Sequence, residues 1–291
     1  MRASINSRII NSYIGLAKPE RTLTNVMTAI AAYLFASQLN MDWVSFLALA
    51  IGLTLVIASA NALNNFIDRD IDSQMARTQK RALPSGEISA TASIVYSFAI
   101  GLFGFVALSY TNWLTVSIIA VAYVWYVAIY GYAKRHTVYS TLIGTIPGGA
   151  SIVAGYTTVS NHVYKAAAIL FVMMLAWQMV HFYAIAIFRL NDYKAAKIPI
   201  LPIKYGLKNT KKQMLGFMIL FIFALSLLKW EGYTGYLYLI VMLFLSLVWL
   251  RKVMLGFAAK DSIAWAKDVF KFSLVVLLGM CVMIAIGPKL P

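Results

Sequence analysis

Apolar segments recur along almost the whole chain and are separated by shorter polar connections. Most are close to the roughly 18 residues or more that an α-helix needs to cross a hydrocarbon core of about 30 Å. The pattern predicts an all-α integral membrane protein whose nine transmembrane helices form a bundle around a central cavity. The predicted helices cover residues 22–39, 43–66, 91–110, 112–132, 139–158, 166–188, 213–229, 235–250 and 271–288.

The basic residues are distributed unevenly between the two ends of these helices. They precede the first helix or follow the second, fourth, sixth or eighth, and the exceptions among the 25 Lys and Arg residues are Lys165, Lys229 and Lys289. Because Lys and Arg accumulate in cytoplasmic loops, we predict a cytoplasmic N-terminus and an outside C-terminus. Residues 1–16 resemble neither a cleavable signal peptide nor a full transit peptide, so we expect a bacterial cytoplasmic (inner) membrane.

The composition agrees with a membrane protein and narrows the function. Hydrophobic residues make up 61% of the chain and charged residues 12%, which excludes a soluble globular domain. The net charge of +15 follows from the basic cytoplasmic loops, so it does not indicate a nucleic-acid partner. The single cysteine, Cys281, can form no intrachain disulfide.

Acidic residues are concentrated where the second predicted helix leaves the membrane. Asn64, Asp68 and Asp72 are spaced four apart, so they share one face of a helix. Oxygen ligands placed so closely at a membrane edge favour a bound Mg²⁺, with Asp68 and Asp72 as ligands. Asn64 would add an amide oxygen to the metal site or a hydrogen bond to the phosphate. Asp70 is expected to face away and to pair with Arg69 or water. The alternative is a solvated helix end that carries charges of both signs.

Cations follow these acids directly and suit an anionic group that the metal also contacts. We predict that Arg77, Lys80 and Arg81 bind a diphosphate, the arginines through forked donors and the lysine as a point charge. Lys134 and Arg135 follow the fourth helix and are further candidates for the diphosphate. They are equally well explained as residues that orient the chain in the membrane.

Polar residues also interrupt the sixth predicted helix, which runs into a second long basic loop. Gln178 and His181 lie one turn apart in it, and Asp192 and Tyr193 follow at the membrane edge. Intramembrane polar groups normally face a bundle interior or a pathway, although a lone His in an apolar helix is often a core residue. The second and sixth helices share this pattern. It indicates one domain, 1–291, with a weak duplication of helices 1–4 and 5–8 followed by helix 9, and two loops facing one cavity.

The fifth predicted helix contains Pro147, Gly148 and Gly149 in succession. We expect this segment to break the helix beside the cavity, because irregular backbone inside a membrane is tolerated where it is buried or lines a cavity.

With these residues in view, the chain resembles the UbiA-type intramembrane prenyltransferases, whose pattern is N-x-x-x-D-x-x-x-D. Within that superfamily it resembles the branch of protoheme IX farnesyltransferases, or heme O synthases. The resemblance rests on K-P at 18–19, N-N-F-I-D-R-D-I-D at 64–72, R-T-Q-K-R-A-L at 77–83, K-R-H-T at 134–137 and the segment from W-Q-M-V-H at 177–181 to I-P-I-L-P at 198–202. Two departures are Arg189, where quinone-type members carry the first Asp of a second pair, and Val180, where heme-type members commonly have Pro.

The resemblance implies transfer of a farnesyl group from farnesyl diphosphate to a vinyl group of heme B, with addition of water, giving heme O. It implies Mg²⁺ as cofactor, a site toward the cytoplasmic face, and a terminal oxidase or heme A synthase as partner in the lipid bilayer. Asn64, Asp68, Asp72, His181 and Asp192 would be catalytic. His181, Gln178, Tyr193 and Lys194 would bind heme, whose propionates would meet candidates among Lys134, Arg135, Lys194 and Lys197.

Two other functions remain open from the sequence. A prenyltransferase acting on an aromatic or quinone precursor would share the first acidic motif, but it would be expected to carry a second aspartate pair. A secondary transporter would also show paired halves, but its polar groups should cluster near the bilayer midplane. The acids of this chain lie at one face.

Overall fold

The protein is described by a computed structural model that covers residues 2–291, with side chains from Ile9 onwards. Met1 and the side chains of Arg2 and Arg8, which the sequence places on the cytoplasmic side, lie outside the described residues. Over the described range the secondary structure is entirely helical. The helices are α1 (Arg2–Leu16), α2 (Pro19–Ser37), α3 (Trp43–Ile67), α4 (Arg69–Asp72), α5 (Ala90–Leu108), α6 (Trp113–Val124), α7 (Gly131–His136), α8 (Ser140–Ser160), α9 (Lys165–Phe188), α10 (Leu190–Ala195), α11 (Leu201–Lys204), α12 (Gly206–Trp230), α13 (Tyr236–Leu255) and α14 (Ser262–Ile286).

Eight of the nine predicted transmembrane segments form helices long and apolar enough to cross a membrane. One of these spans, Trp113–His136, combines α6 and α7 with a π-helical segment at Trp125–Tyr130. The remaining predicted segment forms α2, a helix of 19 residues whose first turns carry Glu20, Arg21 and Asn25. Its place as a ninth span, and the orientation of the two termini, stay predictions.

Local capping explains where several of these helices begin. Asp42 precedes α3 and accepts hydrogen bonds from two backbone amides of its first turn. Asn112 precedes α6, accepts from the Thr115 amide at 2.9 Å and donates to the Thr157 carbonyl at 2.7 Å. The short connection between α5 and α6 is thereby attached to the end of α8.

Helix α9 lies at the centre of the bundle. Within its most apolar window 67% of residues are buried, against 28% for α5. It packs against α8, α12 and α14, while α2 packs against α8 and α14, and α3 against α5. Close approach of α2 and α8 depends on Gly155, because a Cβ at that position would overlap the Ala29 carbonyl.

The predicted break in the fifth segment is wrong, since α8 continues through Pro147 to Ser160. Proline removes the hydrogen bond that the Ile143 carbonyl would otherwise accept. The indole Nε1 of Trp125 donates to this carbonyl at 3.0 Å and replaces the missing partner. The irregular backbone lies instead in the preceding span, at the π-helical segment that contains Trp125.

The two long loops that follow α3 and α9 meet at one end of the bundle. Ile71 and Met75 of the first loop pack in one buried cluster with Ala186 at the end of α9 and with Ile198 and Ile200 of the second loop. Both loops therefore border the same space, and the duplication inferred from them stays a prediction.

Candidate active site

A cavity of about 280 Å³ lies between α3 and α9. Its inner wall is largely apolar and includes Leu53, Ile119 and Met174. Its polar lining residues include Arg21, Asn61, Tyr126, Tyr130, Lys134 and Tyr193. An apolar chamber with a few converging polar groups is the usual form of a site for a small molecule.

The acidic motif is buried beside this cavity. α3 ends at Ile67, and the backbone continues with helical hydrogen bonds from Asp68 N to the Asn64 carbonyl (2.9 Å) and from Asp72 N to the Asp68 carbonyl (2.8 Å). The three side chains therefore stay on one face. Asn64, Asp68 and Asp72 are each no more than 4% exposed, so the motif is not a solvated helix end.

Each residue of this motif has a basic neighbour. Lys134 Nζ lies 2.6 Å from Asp68 Oδ2, and Arg81 Nη1 lies 2.6 Å from Asp72 Oδ2. Lys18 Nζ donates to Asn64 Oδ1 at 3.4 Å. Since Lys134 also lines the cavity, Asp68 is one contact away from its interior.

Two atoms of the motif are buried without a hydrogen-bond partner, Asp68 Oδ1 and Asn64 Nδ2. An unpaired buried carboxylate oxygen is costly, which makes it a candidate ligand atom. No group of three or more His, Cys, Asp or Glu side chains that could hold a metal occurs among the described residues. Mg²⁺ needs only one or two carboxylates when water and substrate phosphates complete its shell, so Asp68, Asp72 and Asn64 fit that ion.

Lys18 and Arg21 belong to the basic edge of the site, although neither was among the residues predicted for it. Lys18 precedes α2 in a left-handed conformation, with φ of 48°, that turns its side chain toward Asn64. Burial, together with Arg21 nearby, lowers the pKa of Lys18 well below its ordinary value. Positions 18 to 21, K-P-E-R, at the start of the first helix were the signal that could have identified both residues.

Tyrosines from the π-helical segment complete this edge. Tyr126 and Tyr130 stack with ring centroids 5.4 Å apart, and both line the cavity. The Tyr126 hydroxyl donates to Asn61 Oδ1 at 3.3 Å, and the Asn61 amide contacts Thr22 of α2 at the same distance. This network links α2, α3 and the span Trp113–His136 beside the cavity.

The other predicted diphosphate residues are not all brought to the cavity. Arg77 and Arg189 lie 3.9 Å and 4.0 Å from Asp192, so this carboxylate joins the two loops. Lys80 is exposed and lines a separate surface pocket with Asn65 and Arg81.

Asp70 faces away from the motif, as predicted. The prediction that it pairs with Arg69 or water was wrong. It forms a two-pronged ion pair with Arg135 at 2.6 Å and 2.7 Å, while Arg69 donates to the Phe66 carbonyl. The Arg135 guanidinium lowers the pKa of Asp70 to about 2. Arg135 is thereby directed to the surface, away from Lys134 and the cavity.

Trp177, Gln178 and His181 of α9 also line the cavity. The Gln178 amide donates to the Thr145 carbonyl of α8 at 3.1 Å. His181 stacks on Trp177, with centroids 4.7 Å apart, and its Nδ1 contacts Ser273 of α14. Of the residues downstream, Tyr193 lines the cavity, whereas Lys194 and Lys197 are exposed.

Comparison with known proteins identifies relatives over nearly the full length. The sequence profile of the UbiA prenyltransferase family matches residues 25–275. Protoheme IX farnesyltransferase 2 of Chromobacterium violaceum is 41% identical over 282 residues, which cover 96% of this chain and 93% of the relative. Protoheme IX farnesyltransferase of Serratia proteamaculans is 40% identical over 281 residues, with 96% and 95% covered.

Solved structures share the fold. A digeranylgeranylglyceryl phosphate synthase structure has a TM-score of 0.80 at 21% identity, covering 97% of this chain and 100% of the other. A UbiA homologue from Archaeoglobus fulgidus, bound to GPP and Mg²⁺, has a TM-score of 0.71 at 14% identity, with 94% and 99% covered.

Proposed function

The chain belongs to the UbiA prenyltransferase family, and from this premise we propose that it transfers the farnesyl group of farnesyl diphosphate to a vinyl group of heme B, with addition of water, to give heme O. The observation that carries the proposal is the identity of about 40%, over nearly the whole chain, to protoheme IX farnesyltransferases. The cavity supports it, because buried acids adjoin the cations that line it, while Leu53, Ile119 and Met174 give it an apolar wall.

The first step breaks the bond between C1 of the farnesyl group and the diphosphate oxygen, which keeps the electron pair. Arg21 and Lys134 line the cavity, while Lys18 and Arg81 contact Asn64 and Asp72 of the adjoining acidic motif. Fixed cations at this position stabilise the negative charge that develops on the departing oxygen. Asp68, Asp72 and Asn64 would hold Mg²⁺, which when bound supplies further positive charge to the diphosphate.

The second step joins the allylic cation to the vinyl group. The electron pair of the vinyl double bond forms the new carbon–carbon bond, and positive charge moves to the carbon attached to the porphyrin ring. Water adds there and loses one proton, which leaves the hydroxyl group of heme O. The apolar wall at Leu53, Ile119 and Met174 keeps water from the cation until the new bond has formed.

Heme would occupy the side of the cavity formed by α9 and the second loop. His181 and Gln178 line this side within the bundle, and Tyr193 lines it at the mouth. Lys194 is exposed beyond Tyr193, where a propionate would meet both a cation and water. On this proposal the reaction takes place at the cytoplasmic face of a bacterial inner membrane, and a terminal oxidase or heme A synthase receives the product.

A quinone-type prenyltransferase is the nearest alternative, and the second loop disfavours it. Asp192 lies between the guanidinium groups of Arg77 and Arg189, and Arg189 stands where a second aspartate pair would begin. One carboxylate facing two arginines is a poor site for an independently held cation. Membership of the prenyltransferase family disfavours a secondary transporter.

Pigment extraction tests the proposal. Membranes from cells that lack their own heme O synthase and express this chain should contain a more hydrophobic heme, identified by mass as the hydroxyethylfarnesyl derivative. Membranes expressing Asp68→Asn at equal level should contain only heme B. If the wild-type membranes also contain only heme B, the proposed function is wrong.

A further inference from the structure

Ser273 of α14 holds two aromatic residues that line the cavity, Trp177 and His181. Its side chain is fully buried. Its carbonyl accepts a hydrogen bond from Trp177 Nε1 at 3.0 Å, and its Oγ lies 2.7 Å from His181 Nδ1. Both contacts cross from α14 to α9, so one residue fixes two neighbouring members of the cavity wall.

The direction of the hydrogen bond between His181 and Ser273 follows from a third contact. The Ser273 hydroxyl donates to the Phe270 carbonyl at 2.6 Å, which uses the only proton that a serine side chain carries. In the contact with His181, Oγ must therefore accept, and Nδ1 must carry the hydrogen. His181 is buried, and no carboxylate pairs with it in the part of the chain that the structure describes. A buried cation without a partner is costly, so the imidazole is neutral and Nε2 keeps a lone pair.

The ring cannot readily turn to exchange the two nitrogens. Trp177 stacks on it with an interplanar angle of 19°, and the Phe270 ring lies 4.9 Å away. Nδ1 is held toward α14, and His181 lines the cavity. Nε2, which has a free lone pair, is therefore the atom that His181 offers to a bound molecule.

We propose that Ser273 is a positioning residue for the heme substrate, because it fixes His181 as the Nδ1–H tautomer and presents Nε2 to the porphyrin. The inference rests on the proposed function, since it takes heme to be the molecule in this part of the cavity. A histidine that meets iron through one nitrogen commonly donates its other N–H to a fixed acceptor. Ser273 is that acceptor, and it does not itself touch the substrate.

Nitrogen resonances of ¹⁵N-histidine-labelled protein in detergent test the tautomer without any ligand. The chain has only three histidines, so variants of His136 and His162 assign the signals. Wild-type His181 should be protonated at Nδ1, and Ser273→Ala should give a mixture of tautomers. Protonation of wild-type His181 at Nε2 would overturn the proposal whether or not any variant folds.

Absorption titration with ferric heme B then tests the consequence for binding. Loss of a partner that orients a metal ligand typically lowers affinity about 10–100-fold, and we expect this loss for Ser273→Ala. Ser273→Thr keeps the hydroxyl and should restore both affinity and the heme spectrum. The matched control is Ser246→Ala, which removes a buried hydroxyl on α13 that donates to the Met242 carbonyl and should leave heme binding unchanged.

The outcomes separate this inference from the proposed function. The role of Ser273 alone would be refuted if the wild-type protein makes heme O but Ser273→Ala leaves the His181 tautomer and the heme affinity unchanged. Wild-type protein that binds heme with the expected tautomer but makes no heme O would refute the proposed function alone. Equal loss of heme affinity in Ser273→Ala and Ser246→Ala would show a general packing effect and would also refute the role of Ser273.

Discussion

Replacing Asp68 with asparagine should abolish transfer while leaving the fold intact. Asp68 has one oxygen 2.6 Å from Lys134 Nζ and a second, buried oxygen with no partner. Asparagine keeps the shape and one acceptor oxygen but removes the charge. Its matched control is Asp70→Asn, because Asp70 lies two residues further along on the outer side of the same segment and pairs with Arg135.

The loss of activity expected for Asp68→Asn follows from the position of its carboxylate beside Lys134. Removing one donor that stabilises a developing negative charge typically costs about 2.7–4 kcal/mol, or roughly 10²–10³-fold in rate, and Asp68 acts on that charge through the cations it holds. We expect Asp68→Asn to fall in or beyond that range, since the change affects both the carboxylate available to a divalent cation and the neighbour of Lys134. Asp70→Asn should stay within about twofold of wild type, because it touches neither the cavity nor the diphosphate cations.

The loss of unfolding free energy expected for Asp68→Asn is smaller than the loss on breaking a fully enclosed ion pair. Breaking such a pair costs about 3–5 kcal/mol, because the remaining charge is left without a partner. The Lys134 side chain is 14% exposed and lines the cavity, so water can reach its ammonium group when Asp68 is neutral. We therefore expect a loss of about 1–3 kcal/mol.

The assay measures heme O formed per unit of inserted protein, with the amount and thermal stability of each variant determined in detergent. Asp68→Asn should be inserted, folded and inactive, and Asp70→Asn should be inserted, folded and active. Near wild-type activity in Asp68→Asn would refute the reasoning, and so would equal inactivation of both variants.

Three further predictions follow from the same contacts. The pKa of Asp70 is lowered from 3.8 to about 2 by Arg135, so its stabilising contribution is complete above about pH 4 and is lost as the pH falls toward 2. Because this pair is exposed, Asp70→Asn should lower the free energy of unfolding by less than about 1 kcal/mol at neutral pH; a gap in apparent melting temperature that persists at pH 2 would contradict this origin. Gly155→Ala should destabilise the protein by about 3 kcal/mol, because the added methyl meets the backbone carbonyl of Ala29, whereas Gly216→Ala on α12 has open space and should be neutral or slightly stabilising; equal melting temperatures for the two variants would contradict the close packing of α2 on α8. Chelation of divalent cations should abolish heme O formation by purified protein, and added Mg²⁺ should restore it. Full activity in excess chelator would contradict a role for Mg²⁺ in the reaction.

Much of the fold could be predicted from apolar periodicity. Eight of the nine predicted segments form helices of suitable length and hydropathy, because a span of about 20 apolar residues has few other stable structures in a bilayer. The first segment is the instructive exception. Its opening turns carry Arg21 and Asn25, which line the cavity, and these polar residues lower the hydropathy of α2.

The part of the candidate site that could be predicted in geometric detail is the part whose residues are close in sequence. The spacing of Asn64, Asp68 and Asp72 places them on one face, and the backbone keeps that spacing across the end of α3. The basic residues beside them come from elsewhere in the chain, and counting charges per loop cannot distinguish Lys134, which faces the cavity, from Arg135, which faces outward.

Contacts between distant segments that replace a missing hydrogen bond or hold a side chain also could not be predicted from the sequence pattern. Pro147 indicates a break in a helix considered alone, and only the indole of Trp125, 22 positions earlier, shows why α8 continues. The hydroxyl of Ser273 similarly has no local feature that connects it to His181, since the two lie on different helices and 92 residues apart.

The most direct test of the central claim uses purified protein in liposomes supplied with farnesyl diphosphate, heme B and Mg²⁺. Diphosphate released and heme O formed should appear in equal amounts, and both should be lost in Asp68→Asn. Release of diphosphate with no change in heme, or prenylation of an aromatic quinone precursor in place of heme, would contradict the account.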